Sequence, residues 1–158
     1  MSAEDWIKKL KLKEHPEGGY YAEIYRSEVT LSSDDMERNL STSIYYLLRS
    51  DQKSHWHQLA SDELWYYHAG SDLVVHMFDE GMYRQELVGI SASAKPQLVI
   101  PAGAVFAAEV KDANSFGLVG CMVSPGFDFE DFRMVDAEEL IEIFPEEEEV
   151  ISAFSSPE

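Results

Sequence analysis

The sequence predicts an all-β fold, a sandwich or barrel, with short helices at its two ends. Three observations carry that expectation. Runs rich in β-branched and aromatic residues recur along the chain, and such residues suit a pleated, half-buried surface. Gly-, Pro- and Asx-rich turn signals separate these runs at intervals of about 8–12 residues. Helical periodicity with capping signals appears only near the two ends. The length, 158 residues, fits one domain. Hydrophobic residues make up 45% and aromatics 12%, so a core is affordable despite a net charge of −18.

Residues 2–11 are expected to form the first helix. Ser2 can cap it, Asp5 lies three residues on, and Trp6, Ile7 and Leu10 fall on one face. His15-Pro-Glu-Gly-Gly19 is a turn before an aromatic strand, Tyr20 to Arg26. Residues 32–39 read as a polar connection. Strands then follow over 42–49, 64–68, 73–78, 83–90, 97–100, 105–110 and 116–123. A last helix is expected from Asp136, with Glu139 completing a capping box, Leu140, Ile141 and Phe144 along its length, and Pro145 as its stop. The domain therefore spans residues 1–145, and residues 146–158 are an acidic, flexible tail whose last seven residues fray.

The charge is unevenly placed. From Asp128 onward twelve acids face Arg133 alone, a net of −11, which leaves −7 for residues 1–127. The run Glu146–Glu149 reads as a solvated, self-repelling block. Such a balance argues against nucleic acid and anionic membranes as partners, because phosphate binding needs clustered Lys and Arg. No run approaches the ~20 apolar residues that span a bilayer, and the N-terminus lacks an apolar signal core. The expected compartment is the cytoplasm. The single cysteine excludes an intrachain disulfide and a cysteine-only zinc site. No Gly-x-Ser-x-Gly elbow and no Gly-rich phosphate loop occurs.

Chemistry concentrates between Ser54 and Gly70. In a strand, residues two apart share a face, so His55 and His57 point the same way. Glu63 opens the next strand on the face of Trp65 and Tyr67. Two imidazoles and a carboxylate can hold a divalent metal, as in a facial triad. They can equally form an acid/base pair, since histidine titrates near neutral pH. Trp65 and Tyr67 either stack on a ligand ring or fill the core. Arg26 and Arg49 either bind an anionic group or pair with neighbouring acids. Glu17 sits either at a pocket mouth or in a rigid turn. His68 has the opposite parity from Glu63, His76 reads as a satisfied structural histidine, and Cys121 as inert core. In Pro125-Gly-Phe-Asp-Phe-Glu-Asp-Phe132 aromatics and acids alternate. That spacing predicts a strip of three phenylalanines on one face, closing a sheet or a subunit interface, with the acids outward.

These residues resemble the first motif of the cupin superfamily. His55, His57, Glu63 and Gly70 match it in order, with the six residues between Glu63 and Gly70 kept and the five between His57 and Glu63 one more than usual. The second motif is matched by Pro101-Ala-Gly-Ala-Val-Phe106, which puts Phe106 where the superfamily's last histidine ligand stands and Val110 where its asparagine stands. The closer resemblance is to the cupin_5 family and covers nearly the whole chain. It rests on His15-Pro-Glu-Gly-Gly-Tyr20, Thr42-Ser-Ile-Tyr45, Ser54-His-Trp-His57 with Asp62-Glu-Leu-Trp65, Pro101-Ala-Gly103, and Leu118-Val-Gly-Cys121 running to Phe132.

The resemblance implies a double-stranded β-helix, or jelly-roll barrel, usually dimeric and similar to sugar-nucleotide epimerases of the dTDP-4-dehydrorhamnose type. Those enzymes set a histidine base against a tyrosine acid across the sugar ring. The implied catalytic set here is His55 or His57 as base and Tyr20, Tyr45 or Tyr67 as acid. The implied ligand-binding set is Glu17, Arg26, Glu63, Trp65, Tyr67 and Phe106. The expected function is binding of a small polar metabolite, sugar- or nucleotide-like, with epimerisation or isomerisation as its chemistry. One alternative is a metal-dependent enzyme with His55, His57 and Glu63 on a divalent ion; the other is a non-catalytic binding protein. The expected partners are a small molecule and a second copy of the chain.

Overall fold

In the computed structural model, which describes residues 1–157, thirteen strands lie between terminal helices. Helix α1, Ala3–Leu10, is followed by β1, Lys13–Glu14, and β2, Tyr20–Arg26. A hairpin of β3, Thr30–Ser33, and β4, Met36–Asn39, leads to β5, Thr42–Arg49. Strands β6, Ser54–Leu59, β7, Asp62–Gly70, β8, Leu73–Asp79, and β9, Met82–Val88, come next. They are followed by β10, Gln97–Ile100, β11, Val105–Val110, β12, Phe116–Ser124, and β13, Phe132–Met134. Helices α2, Ala137–Ile143, and α3, Glu148–Ala153, close the chain.

Eleven strands form two sheets, in the order β1-β2-β5-β12-β7-β10 and β13-β6-β11-β8-β9, and β3-β4 stand apart as a two-stranded sheet. This is a jelly roll, although hydrogen bonding does not run continuously round it as in a closed barrel. The inward faces of both sheets fill one core. Tyr46, Leu48, Trp65 and Val119 come from the first sheet, and Val75, Met77, Phe106 and Ala108 from the second.

Each sheet also buries its outer face. Helix α1 is fixed by a capping box, in which Ser2 Oγ accepts the Asp5 N–H at 3.1 Å and Asp5 Oδ2 accepts the Ser2 N–H at 2.8 Å. Its Trp6, Ile7 and Leu10 cover Leu47, Leu118 and Tyr45 on the outside of the first sheet. On the outside of the second sheet, Leu140 of α2, Ile151 of α3 and the following Phe154 cover Trp56, Phe78 and Val105. Covering both faces explains why β5 and β12 read as continuous apolar runs rather than alternations.

Several expectations are corrected. Residues 32–39 belong to the hairpin β3-β4, which reverses at Asp34 in the left-handed region (φ 50°). Asp136 does stand before α2, but its side chain caps nothing, and Glu139 binds Arg133 instead, at 2.9 and 3.1 Å. Residues 148–154 are not a free tail: Ile151 is fully buried, and the Trp56 indole donates to its carbonyl at 2.8 Å. Glu158, the end of the expected tail, lies outside the described residues. The strip Pro125–Phe132, expected to close a sheet or a subunit interface, instead runs over the mouth of a cavity. It folds as a strap with a single helical turn at Phe129–Asp131 before β13. Among the described residues no helix is long and apolar enough to cross a membrane.

Candidate functional site

A cavity of about 660 Å³ opens between β2, β5, β12 and the strap. Its floor is Glu17, Tyr46, His57, Glu63 and Cys121. Strand parity places them. In β5, Tyr46 faces inward and Tyr45 outward; in β6, His57 faces inward and Trp56 outward. Glu63 leads β7 into the same space, and Cys121 enters from β12.

Glu17 arrives from a turn rather than a strand. Gly18 and Gly19 take positive φ, 104° and 81°, which only glycine adopts freely. A Cβ on Gly18 would come within 2.1 Å of the Lys53 carbonyl oxygen. The turn is pinned from both sides. The Glu17 carbonyl accepts the His55 N–H at 2.8 Å, and the Gly18 carbonyl accepts the Tyr46 hydroxyl at 2.6 Å.

The central contact joins His57 Nε2 to Glu17 Oε2 at 2.6 Å, with both side chains nearly fully buried. His57 Nδ1 lies 2.7 Å from the His55 carbonyl, which can only accept, so Nδ1 carries a proton. Burial pushes the His57 pKa down, but the Glu17 carboxylate and its hydrogen bond outweigh burial and raise it. Burial pushes Glu17 up, and His57 outweighs that in turn, leaving it lowered. The pair is an imidazolium on a carboxylate. His15 stays neutral: burial lowers its pKa, and its Nδ1 accepts the Glu17 N–H at 3.1 Å.

Glu63 is the opposite case. Burial first, and the nearby Glu17 charge second, raise its pKa to about 7. Its Oε1 accepts the Trp65 indole N–H at 3.0 Å, while Oε2 is buried without a partner. Burial also raises Tyr46 and Cys121 well above their ordinary values, so both stay protonated. The upper walls are aromatic. Phe127, Phe129 and Phe132 pack edge-on in the strap, and Tyr21 faces in from β2.

The residues present do not fit a metal. Both ring nitrogens of His57 are engaged by protein groups. His55 does not line the cavity, and Phe106 packs on the His57 ring at 4.0 Å between centroids. Among the described residues no group of three His, Cys, Asp or Glu is placed to hold an ion. The expected set of His55, His57 and Glu63 is thereby corrected, because Glu17 occupies the coordination direction of His57.

The other sequence candidates divide. Glu17, His57 and Glu63 meet in the cavity, and Arg26 stands at its mouth with its guanidinium on Glu23. Trp65 supports Glu63 from the core, and Tyr67 packs beside that core with its hydroxyl on the Gly70 carbonyl. Tyr20 and Tyr45 lie on the outer face beneath α1, where Arg49 donates to the Tyr20 hydroxyl at 2.6 Å and Tyr45 meets His68. They are therefore not the tyrosines of the site. Tyr46 and Tyr21 line it instead, and neither was among the sequence candidates. Parity was the available signal, but both faces of β5 are apolar, so it had no reference.

Three comparisons bear on the chain. The family described as Cupin_5, cupin superfamily (DUF985), matches residues 4–135. A hypothetical protein from Leishmania major superposes with a TM-score of 0.93 at 38% identity, over 99% of this chain and 100% of the other. Protein SO0799 from Shewanella oneidensis gives 0.90 at 42% identity, over 100% and 99%. The uncharacterized protein YML079W of Saccharomyces cerevisiae is 28% identical over 155 residues, covering 87% of this chain and 77% of its own length.

Proposed function

The chain belongs to the Cupin_5 family, and from that premise we propose that its cavity binds a small polar, ring-bearing metabolite, sugar- or nucleotide-like, and moves a proton on it. One observation carries the reading. Two buried carboxyl groups share one cavity, and their surroundings push their pKa values apart, Glu17 down and Glu63 up to about 7. Such splitting separates a base from an acid. Glu17, held ionised by His57, accepts a proton from a carbon beside a carbonyl. Glu63, with its unpartnered oxygen, donates one to the carbonyl oxygen. The aromatic strap and Tyr21 give the ring its apolar wall. The chemistry is isomerisation or epimerisation, with the histidine supporting a carboxylate base rather than acting as the base itself.

The test is a thermal-shift panel of free and phosphorylated sugars and nucleosides, followed by proton NMR of stabilising compounds in deuterated water. The expected result is a ligand-dependent rise in Tm and solvent deuterium at one ligand carbon. Glu17→Gln should abolish the uptake while leaving binding. Uptake that survives Glu17→Gln refutes the assignment. A second reading, binding without turnover, is favoured by the fact that His57 and the Tyr46 hydroxyl spend their hydrogen bonds on protein groups. Stabilising ligands that take up no deuterium would establish it.

A further inference from the structure

We infer that Lys11 and Lys13 form, at the mouth of this cavity, a subsite for the phosphate arm of a phosphorylated ligand; this rests on the cavity being the ligand site.

Of the 12 basic residues in the chain, Lys11, Lys13 and Arg26 line the cavity. Arg26 is fully engaged, with both Glu23 oxygens, Asn39 Oδ1 at 2.8 Å and the Phe127 carbonyl at 3.0 Å. Among the described residues no carboxylate lies within ion-pair distance of Lys11 or Lys13. Two of the lining acids are matched by cations of the cavity itself. Glu23 is on Arg26 and Glu17 is on His57, while Asp128 shares Arg38 with Glu130 and Asp131. Burial keeps Glu63 half-neutral near pH 7. A protein of net charge −18 thus presents, in the lining of this cavity, two ammonium groups that have no carboxylate partner among the described residues.

Geometry places the two charges together. Lys11 ends α1 in the left-handed conformation, φ 54° and ψ 44°, where glycine or asparagine is the usual occupant. Leu12 is buried in the cluster under α1 and anchors the segment. Both side chains line the cavity, Lys11 from the end of α1 and Lys13 from β1. Lys13 pairs with Tyr21 in the β1-β2 ladder, and its ammonium sits 5.3 Å from the Tyr21 ring centroid. That ring is a cavity wall, so the charge is held at the entrance. Two ammonium groups with free donors match the oxygens of a phosphate ester.

The test is calorimetric titration with matched pairs: glucose against glucose 1-phosphate, and uridine against uridine diphosphate. The phosphorylated member should bind about tenfold tighter or more, and the advantage should shrink as salt is raised. The pair with the larger advantage distinguishes a sugar phosphate from a nucleotide diphosphate. Lys11→Asn, which keeps a residue tolerant of positive φ, and Lys13→Gln should each remove most of the advantage. Lys95→Gln, whose ammonium is on Glu86, should change nothing. Equal binding of both members, or an advantage that survives both cavity substitutions, overturns the subsite and leaves the cavity reading standing. If no member of either pair binds, the cavity reading fails for these compounds and the subsite with it.

Discussion

Proton placement at the cavity floor is decided by two buried carboxyl groups, Glu17 and Glu63. Glu63 has a pKa raised from 4.5 to about 7, chiefly by burial. The native state therefore holds a proton there that the unfolded chain has already lost. Its stabilising contribution is present below 4.5 and falls as pH rises to about 7, by at most roughly 3 kcal/mol. His57, also raised, adds a loss in the same direction at higher pH, above 6.5. Glu17, lowered, acts below 4.5 instead. Urea unfolding across this range should show wild-type stability declining with pH, and Glu63→Gln should flatten the decline. An unchanged slope would show that Glu63 ionises normally. Dialysis against a chelator should leave Tm unmoved, since both nitrogens of His57 already hold protein partners. A chelator-induced drop of several degrees would contradict that geometry. At this scale His57, Glu17 and Glu63 were readable from the sequence because short motifs carry them. Tyr46 was not, since adjacent tyrosines in an apolar run give no parity reference.

Two elements outside the main sheets aim the site. The His15–Gly19 turn delivers Glu17 through two glycines at positive φ. Gly18→Ala should cost about 1–3 kcal/mol through strain, and should also lower the His57 pKa by pulling Glu17 away. Urea unfolding and imidazole NMR titration read the two effects; a normal His57 titration with lost stability would separate strain from positioning. The strap carrying Phe127, Phe129 and Phe132 is held by Arg38 of β4. Arg38 Nε and Nη2 meet Asp131 at 2.7 and 3.0 Å, and Glu130 lies at 3.3 Å. Arg38→Gln should raise amide exchange over residues 127–132 while β5 and β12 stay protected. Arg38→Lys should rescue this only partly, because lysine cannot bind a carboxylate in two-point fashion. The alternation of aromatics and acids in the strap was visible in sequence and suggested three phenylalanines on one face, but not which surface they would line. Pairing with an arginine from a hairpin read as polar connection could not be seen.

The whole molecule is layered as α1, first sheet, second sheet, and α2 with α3. Its second outer layer depends on residues the sequence assigned to a tail. Phe154 is 2% exposed and packs on Trp56 and His76 at 5.8 and 4.5 Å between ring centroids. Phe154→Ala should cost about 3–5 kcal/mol. Deleting residues 148–158 should destabilise far more by uncovering Trp56 and Phe78, whereas deleting residues 155–158 should be nearly neutral. Chemical denaturation of the three variants checks the ranking. The glutamates from 146 to 149 misled because like charges in a row usually mark a solvated segment. Here three of the four are exposed, and they lead directly into a helix that buries Ile151 and, just past its end, Phe154.

The sequence by itself determined the all-β class, the main strands, the α1 capping box and the family-bearing segments. Each of these is written in local patterns: turn residues, side-chain periodicity and short motifs. It also named three of the five floor residues. Only the tertiary structure decided that Glu17 meets His57, that Tyr46 rather than Tyr20 or Tyr45 faces inward, that no metal set forms, and that two lysines stand unpaired at the mouth. Those outcomes depend on which groups from distant segments come within a few ångströms and on how much water burial removes around them. Neither quantity has a local signature in the chain.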